Sequence, residues 1–124
     1  MNLKVLVADD EPNIVISLEY LLKREGYTVL VAKDGQEALD AIALERPDLV
    51  LLDVMMPKKT GFEVCQAVRA NEALQSTKIL MLTAKGRDTD LAKGLALGAD
   101  AYMTKPFSTR ELVLKVGQML GRAP

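Results

Sequence analysis

Short apolar runs rich in Val, Leu and Ile recur along the chain at Leu3–Ala8, Tyr27–Ala32, Leu49–Leu52, Ile79–Leu82 and, more weakly, Ala99–Met103. Runs of this length, continuous rather than alternating, predict strands covered on both faces. Between them, apolar positions return at helical spacing. The sets are Ile14, Leu18, Leu21 and Leu22; Leu39, Ile42 and Ala43; Phe62, Cys65 and Val68; Leu91, Ala92 and Leu95; and Leu112, Val116, Met119 and Leu120. Each predicts an amphipathic helix. The punctuation agrees: Pro12 sits where a first helical turn tolerates it, Gly26 and Gly98 follow the first and fourth helices, and Ser108 precedes Glu111 as a capping box.

Strict alternation of five strands and five helices predicts an α/β fold, with a parallel sheet covered by helices on both faces and joined by right-handed crossovers. The expected architecture is a doubly wound (βα)5 sheet with the flavodoxin-like strand order 2-1-3-4-5. No repeat, low-complexity tract or internal linker interrupts the chain, so one domain is expected over residues 1–121. Residues 122–124 are then a tail or the start of a linker.

Composition narrows the chemistry. With 16 basic and 17 acidic residues the net charge is -1, which argues against a nucleic-acid surface. No apolar run is long enough to span a bilayer, and the start MNLKVLVADD turns acidic too early for a secretory signal. The single cysteine, Cys65, cannot form an internal disulfide, and a reducing, cytoplasmic setting is expected. The chain contains 0 His, which removes the usual zinc and haem ligands and every His-dependent nucleophile. Carboxylates, lysines and hydroxyls remain.

In open α/β sheets the ligand crevice lies beyond the carboxyl ends of the strands. The first strand runs into Asp9 and Asp10, the third into Asp53, the fourth into Thr83 and Ala84, and the fifth is followed by Lys105 and Pro106. Three carboxylates, a hydroxyl and an ammonium therefore converge on one rim. Like charges about 4 Å apart oppose one another by about 4 kcal/mol at an effective dielectric near 20, so the trio calls for a cation. Oxygen ligands suit a hard ion, and a small site that meets a phosphate favours Mg²⁺ over Ca²⁺. Asp9 and Asp10 would be metal ligands, with Asp53 bridging ion and phosphoryl group. Phosphoryl transfer to a carboxylate requires its equatorial oxygens to be neutralised. The cation, Lys105 and Thr83, with the Ala84 amide, supply partners, and an ionised Asp53 needs no general base.

Taken singly, each residue has a structural reading. Asp9 and Asp10 before Glu-Pro suit a helix N-cap, Asp53 a turn, Thr83 a cap for the next helix and Lys105 a solvated amine. Lys58 and Lys59 read as a solvated loop, and Met55, Met56, Met81 and Met103 as core or core-edge filling. Joint occurrence on successive strand ends favours the functional reading.

The motifs VLVADDE, LLDVMMPKKTG, MLTA and GADAYMTKPF, in this order and spacing, resemble the response-regulator receiver domains of two-component signal transduction over essentially the whole chain. The resemblance implies that Asp53 is phosphorylated by a sensor histidine kinase or phosphotransfer protein. It implies a Mg²⁺ site of Asp9, Asp10, Asp53 and the Met55 backbone carbonyl, and a switch formed by Thr83 and Tyr102. Pro57, Gly61 and Pro106 match structural positions, with a cis Lys105–Pro106 bond, and Met55 and Lys85 match positions that tune phosphoryl lifetime. The output would be a remodelled surface of the fourth helix, fifth strand and fifth helix, acting on a partner protein or a fused effector domain. Ala101 stands where the transcription-factor branch often carries a second acidic residue, whereas Arg110, Glu111 and Leu112 resemble that branch; a monomer and a phosphorylation-dependent dimer both remain open.

On this reading the chain is a phosphoacceptor switch that assists its own phosphorylation and dephosphorylation, not a turnover enzyme. Three alternatives stand beside it. An aspartyl-phosphate phosphatase would want Asp-x-Asp, but the second position here is Met55. A flavin module would want a Gly- and hydroxyl-rich phosphate loop where DDEPN stands. An unphosphorylated interaction module would keep the fold without the chemistry.

Overall fold

The structure, a computed structural model, describes residues 2–84 and 87–122. The position of Lys85 and the closing residues 123–124 lie outside them. Strands β1 (Lys4–Ala8), β2 (Thr28–Ala32), β3 (Leu49–Asp53), β4 (Lys78–Ala84) and β5 (Ala101–Lys105) alternate with helices α1 (Pro12–Arg24), α2 (Gly35–Glu45), α3 (Gly61–Ala70), α4 (Asp88–Ala96) and α5 (Thr109–Met119). A short 3₁₀ turn at Glu72–Leu74, which the apolar pattern did not signal, precedes β4. All pairings are parallel and the order is β2-β1-β3-β4-β5, the doubly wound arrangement that the alternation implied.

The pleat divides the core in two. Leu6, Ala8, Val50, Leu52, Ile79 and Met81 face α2 and α3, packing with Ile42, Val64, Cys65 and Val68. Val5, Val7, Leu49, Leu51, Leu80 and Leu82 face α1 and α5, packing with Leu18, Leu22, Leu112 and Val116. The central strands β1, β3 and β4 are thus covered on both faces, as their apolar runs require. The edge strands are not: β2 and β5 are only partly buried, because each has a neighbour on one side alone.

Two helices differ from the sequence reading. In α2 the buried face is Gly35, Ala38 and Ile42, and Ala43 faces solvent. In α4 only Gly94 is buried, because the backbone comes close to the sheet there; a Cβ on Gly94 would stand 3.4 Å from Met81 Cγ. Leu91 is half-buried and Ala92 and Leu95 are exposed. The fifth strand also begins two residues later than expected. Ala99 and Asp100 instead form a turn held by Arg69, which donates to Gly98 O, Thr77 O and Asp100 Oδ2 at 2.8, 2.8 and 2.7 Å.

Helix ends follow local chemistry. Pro12 opens α1. Gly26 and Gly98 take φ of +95° and +109°, conformations that suit glycine after a helix. Ser108 Oγ accepts from Glu111 N at 3.0 Å. A full capping box forms instead at Thr60 and Glu63, where each side chain accepts from the other's backbone N–H.

Candidate functional site

The carboxyl ends of β1, β3, β4 and β5 gather the residues read from the sequence. Asp9, just past β1, is fully buried. Its Oδ1 accepts from Glu11 N at 3.0 Å, and its Oδ2 accepts from Lys105 Nζ at 2.8 Å. Lys105, the last residue of β5, also lies 3.5 Å from Asp53 Oδ1 and 3.4 Å from Glu11 Oε1. Asp53, the last residue of β3, is 7% exposed, and Met55 N donates to its Oδ1 at 3.4 Å. Asp10 is exposed at the mouth. One oxygen from each of Asp9, Asp10 and Asp53 lies within 4.8 Å of the others.

Electrostatics distinguishes Asp53 from an ordinary turn residue. Burial, reinforced by the Asp9 charge and opposed by Lys105 and the Met55 amide, pushes its carboxyl up to about 7 from 3.8. Burial pulls the Lys105 ammonium down, but its bond to Asp9 and the charges of Asp53 and Glu11 outweigh this and raise it above its ordinary value. One ammonium thus serves three carboxylates while a fourth, Asp10, stands at the mouth. The surplus negative charge and an all-oxygen donor set fit a hard divalent cation, with Asp9, Asp10 and Asp53 able to hold it.

Thr83 provides a separate sign of an incomplete site. It is 1% exposed, and its Oγ1 has no hydrogen-bond partner among the described residues. It does not cap α4, whose N-cap residue is Arg87. Buried hydroxyls are rarely left unpaired, so this one is available to a group that enters the rim. Ala84 pairs in register with Lys105 at the same edge.

Other residues sit elsewhere. Tyr102 is 43% exposed and lines a groove of about 650 Å³ along β5 and α5 with Lys105, Pro106 and Leu114. The Met55 side chain is 61% exposed, so it is not core filling; Met56 and Met81 are buried. Lys58 Nζ lies 3.7 Å from Asp34 Oδ2. Lys105–Pro106 is cis. Gly61 is required by proximity, since a Cβ there would stand 2.4 Å from Asp53 O. Sequence reasoning passed over Glu11, whose only signal was its place before Pro12, and the Asp34–Gly35 pair, which opens a helix on a strand flanking the rim.

This geometry defines a class: a doubly wound α/β domain whose strand ends form a cation-competent acidic rim around the buried Asp53 carboxylate. The model of the response regulator receiver domain matches residues 5–117, and the chain belongs to that family, the receivers of two-component systems. It is 52% identical over 123 residues to the alkaline phosphatase synthesis transcriptional regulatory protein PhoP of Bacillus subtilis, covering 99% of this chain and 50% of that protein. It therefore spans about half the length of that relative. Among solved structures it is similar to the chemotaxis response regulator CheY4 of Vibrio cholerae, with a TM-score of 0.91 at 37% identity over 97% of this chain and 100% of the other. The Francisella response regulator 1452 receiver domain gives a TM-score of 0.88 at 33% identity over 97% and 98%.

Proposed function

We propose that the chain is the phosphoryl-accepting switch of a two-component phosphorelay, with Asp53 as the phosphoacceptor. The observation that carries this reading is the joint geometry of Asp53, Lys105 and Thr83. A carboxylate at a strand end has an ammonium 3.5 Å away and, on the neighbouring strand, a buried hydroxyl with no partner among the described residues.

An Asp53 carboxylate oxygen attacks phosphorus, a P–O bond forms, and the bond from phosphorus to the donor's imidazole nitrogen breaks. Lys105 and the Thr83 hydroxyl, with the Ala84 amide, meet phosphoryl oxygens as their charge redistributes. Asp9, Asp10, Asp53 and the Met55 carbonyl would hold Mg²⁺, which when bound neutralises charge between the carboxylates and the phosphoryl oxygens. Asp9 keeps Lys105 at the rim through the 2.8 Å bond. The donor is a sensor histidine kinase or phosphotransfer protein in the cytoplasm.

A phosphoryl group adds about 1.5 to 2 negative charges beside Thr83. When Thr83 turns to it, the space beside β4 and β5 opens to the Tyr102 ring, and the α4–β5–α5 surface changes for an output protein or fused domain. Pro57, Gly61 and Pro106 keep the surrounding loops in shape. A preference of about 5.5 kcal/mol takes such an equilibrium from one state nearly fully to the other.

The test is amide NMR with beryllofluoride, a stable phosphoryl mimic, and Mg²⁺. Saturable shifts at Asp53, Thr83, Tyr102 and Lys105 that vanish in Asp53→Asn are expected. A protein unmoved by both reagents would favour an interaction module that is never phosphorylated.

A further inference from the structure

The loop between β3 and α3, residues 54–60, carries Met55 and closes over Asp53. Its two ends are fixed: Val54 N donates to Leu82 O at 3.2 Å, and Gly61 N donates to Val54 O at 2.9 Å. Its middle is held from outside, by the first turn of α2. Pro57 O accepts two bonds, from Lys59 N at 2.8 Å within the loop and from Gly35 N at 3.2 Å across to α2. The bond from Pro57 to Lys59 closes a three-residue turn around Lys58, whose φ is +69°. That is the left-handed region, which costs a lysine on the order of 1 kcal/mol or more and persists only where the surroundings enforce it.

The surroundings are Asp34 and Gly35. Asp34 caps α2, accepting from Glu37 N at 2.8 Å, and its other oxygen lies 3.7 Å from Lys58 Nζ. Gly35 is buried, and a Cβ there would lie 2.0 Å from Lys59 O and 2.6 Å from Lys59 C. Both obstacles are backbone, so no rotamer change relieves them. The φ of Gly35 is not in the left-handed region, and alanine is ordinarily the better residue inside a helix. What glycine provides here is proximity rather than conformational freedom.

We propose that Gly35 is a positioning residue for the metal site. By letting the Pro57–Lys59 turn lie against α2, it holds the loop so that the Met55 carbonyl and the Asp53 carboxylate address the same ion. The proposal rests on the Mg²⁺ reading above for its consequence, but its structural part stands independently. A side chain at position 35 pushes the turn off α2 and swings Met55 away from the rim, while leaving Asp9, Asp10 and Lys105 in place. Supporting groups behind metal ligands commonly govern affinity by about tenfold or more.

The test compares the wild-type chain, Gly35→Ala and Lys58→Pro by amide NMR, first without metal and then through a Mg²⁺ titration, with melting temperature as the control for global stability. Proline cannot adopt the +69° φ at position 58, so Lys58→Pro displaces the same turn from its exposed side without placing an atom between Lys59 and α2, while also removing the 3.7 Å contact of Lys58 with Asp34. In metal-free protein both variants should shift the Asp53–Gly61 amides and leave the Asp9–Glu11 amides alone. Both should weaken Mg²⁺ binding about tenfold. A global defect would instead shift amides throughout and lower the melting temperature without selective loss of Mg²⁺ affinity. Unshifted loop amides, or wild-type Mg²⁺ affinity in a folded Gly35→Ala, overturn the proposal. Should Gly35→Ala fail to fold, Lys58→Pro decides: wild-type affinity there means that the turn does not govern the ion. A wild-type chain that gives no saturable Mg²⁺ response sinks the reading of the rim, whereas the metal-free shifts still decide whether Gly35 places the loop.

Discussion

Asp53→Asn should stabilise the metal-free protein by an amount that grows as pH rises and is complete only at alkaline pH. In the folded chain burial and the neighbouring Asp9 hold the Asp53 carboxyl up at about 7; in the unfolded chain it ionises near 3.8. Below both values the group is protonated in either state and contributes nothing. Between them the unfolded chain has released a proton that the folded chain retains, so stability falls as pH rises, and above about 7 the whole penalty is present. At about 1.4 kcal/mol per pH unit the difference is at most about 4 kcal/mol, and water reaching the open mouth beside Asp10 screens it to about 2 kcal/mol. Asn is close in shape and carries no charge. Urea denaturation followed by circular dichroism should therefore give the variant about 2 kcal/mol more stability than wild type at pH 8 and no difference at pH 4. Millimolar Mg²⁺ should narrow the gap at pH 8 by stabilising the wild type alone. An Asp53→Asn protein that is no more stable at pH 8, or equally more stable at both pH values, would refute the electrostatic account.

Lys105→Ala leaves the buried Asp9 carboxylate without its 2.8 Å partner, and should cost about 3 kcal/mol at pH 7 by chemical denaturation; a cost below about 1 kcal/mol would mean that solvent already screens the pair. Thr83→Ala removes a hydroxyl with no partner among the described residues, so folding stability should change by less than about 1 kcal/mol. The same variant should lose the beryllofluoride-induced shift of Tyr102, and an intact shift would remove Thr83 from the switch. Cys65 is buried and its thiol is pushed up by burial, so it should resist iodoacetamide at pH 8 until denaturant is added. Rapid labelling of the native protein would contradict the packing of α3.

Much of this was legible in the sequence because the informative residues lie at strand ends, where a change from apolar to charged marks both the end of the strand and the rim of the site. Asp53 after LVLL and Asp9–Asp10 after VLVA are of this kind. Coverage of the edge strands was less legible, since Thr28–Ala32 is nearly as apolar as the centre and exposure there depends on strand order; only the weaker run at β5 hinted at an edge. The inner face of α4 was misread because Gly94 is a close approach of backbone to sheet, which no apolar pattern encodes. Gly35 escaped for a similar reason: its role is the absence of a side chain against Lys59, a contact between segments distant in sequence. Tyr102 was recognisable only through the family motif, since an exposed aromatic on an edge strand carries no chemical signal of its own.

The central claim is that Asp53 accepts a phosphoryl group. Intact-mass spectrometry after incubation with acetyl phosphate, with and without Mg²⁺, tests it most directly on the wild-type chain and on Asp53→Asn. The account predicts the mass gain of a single phosphoryl group that requires Mg²⁺ and is absent in the variant. A wild-type chain that gains no mass, or an Asp53→Asn chain that gains as much, would contradict it.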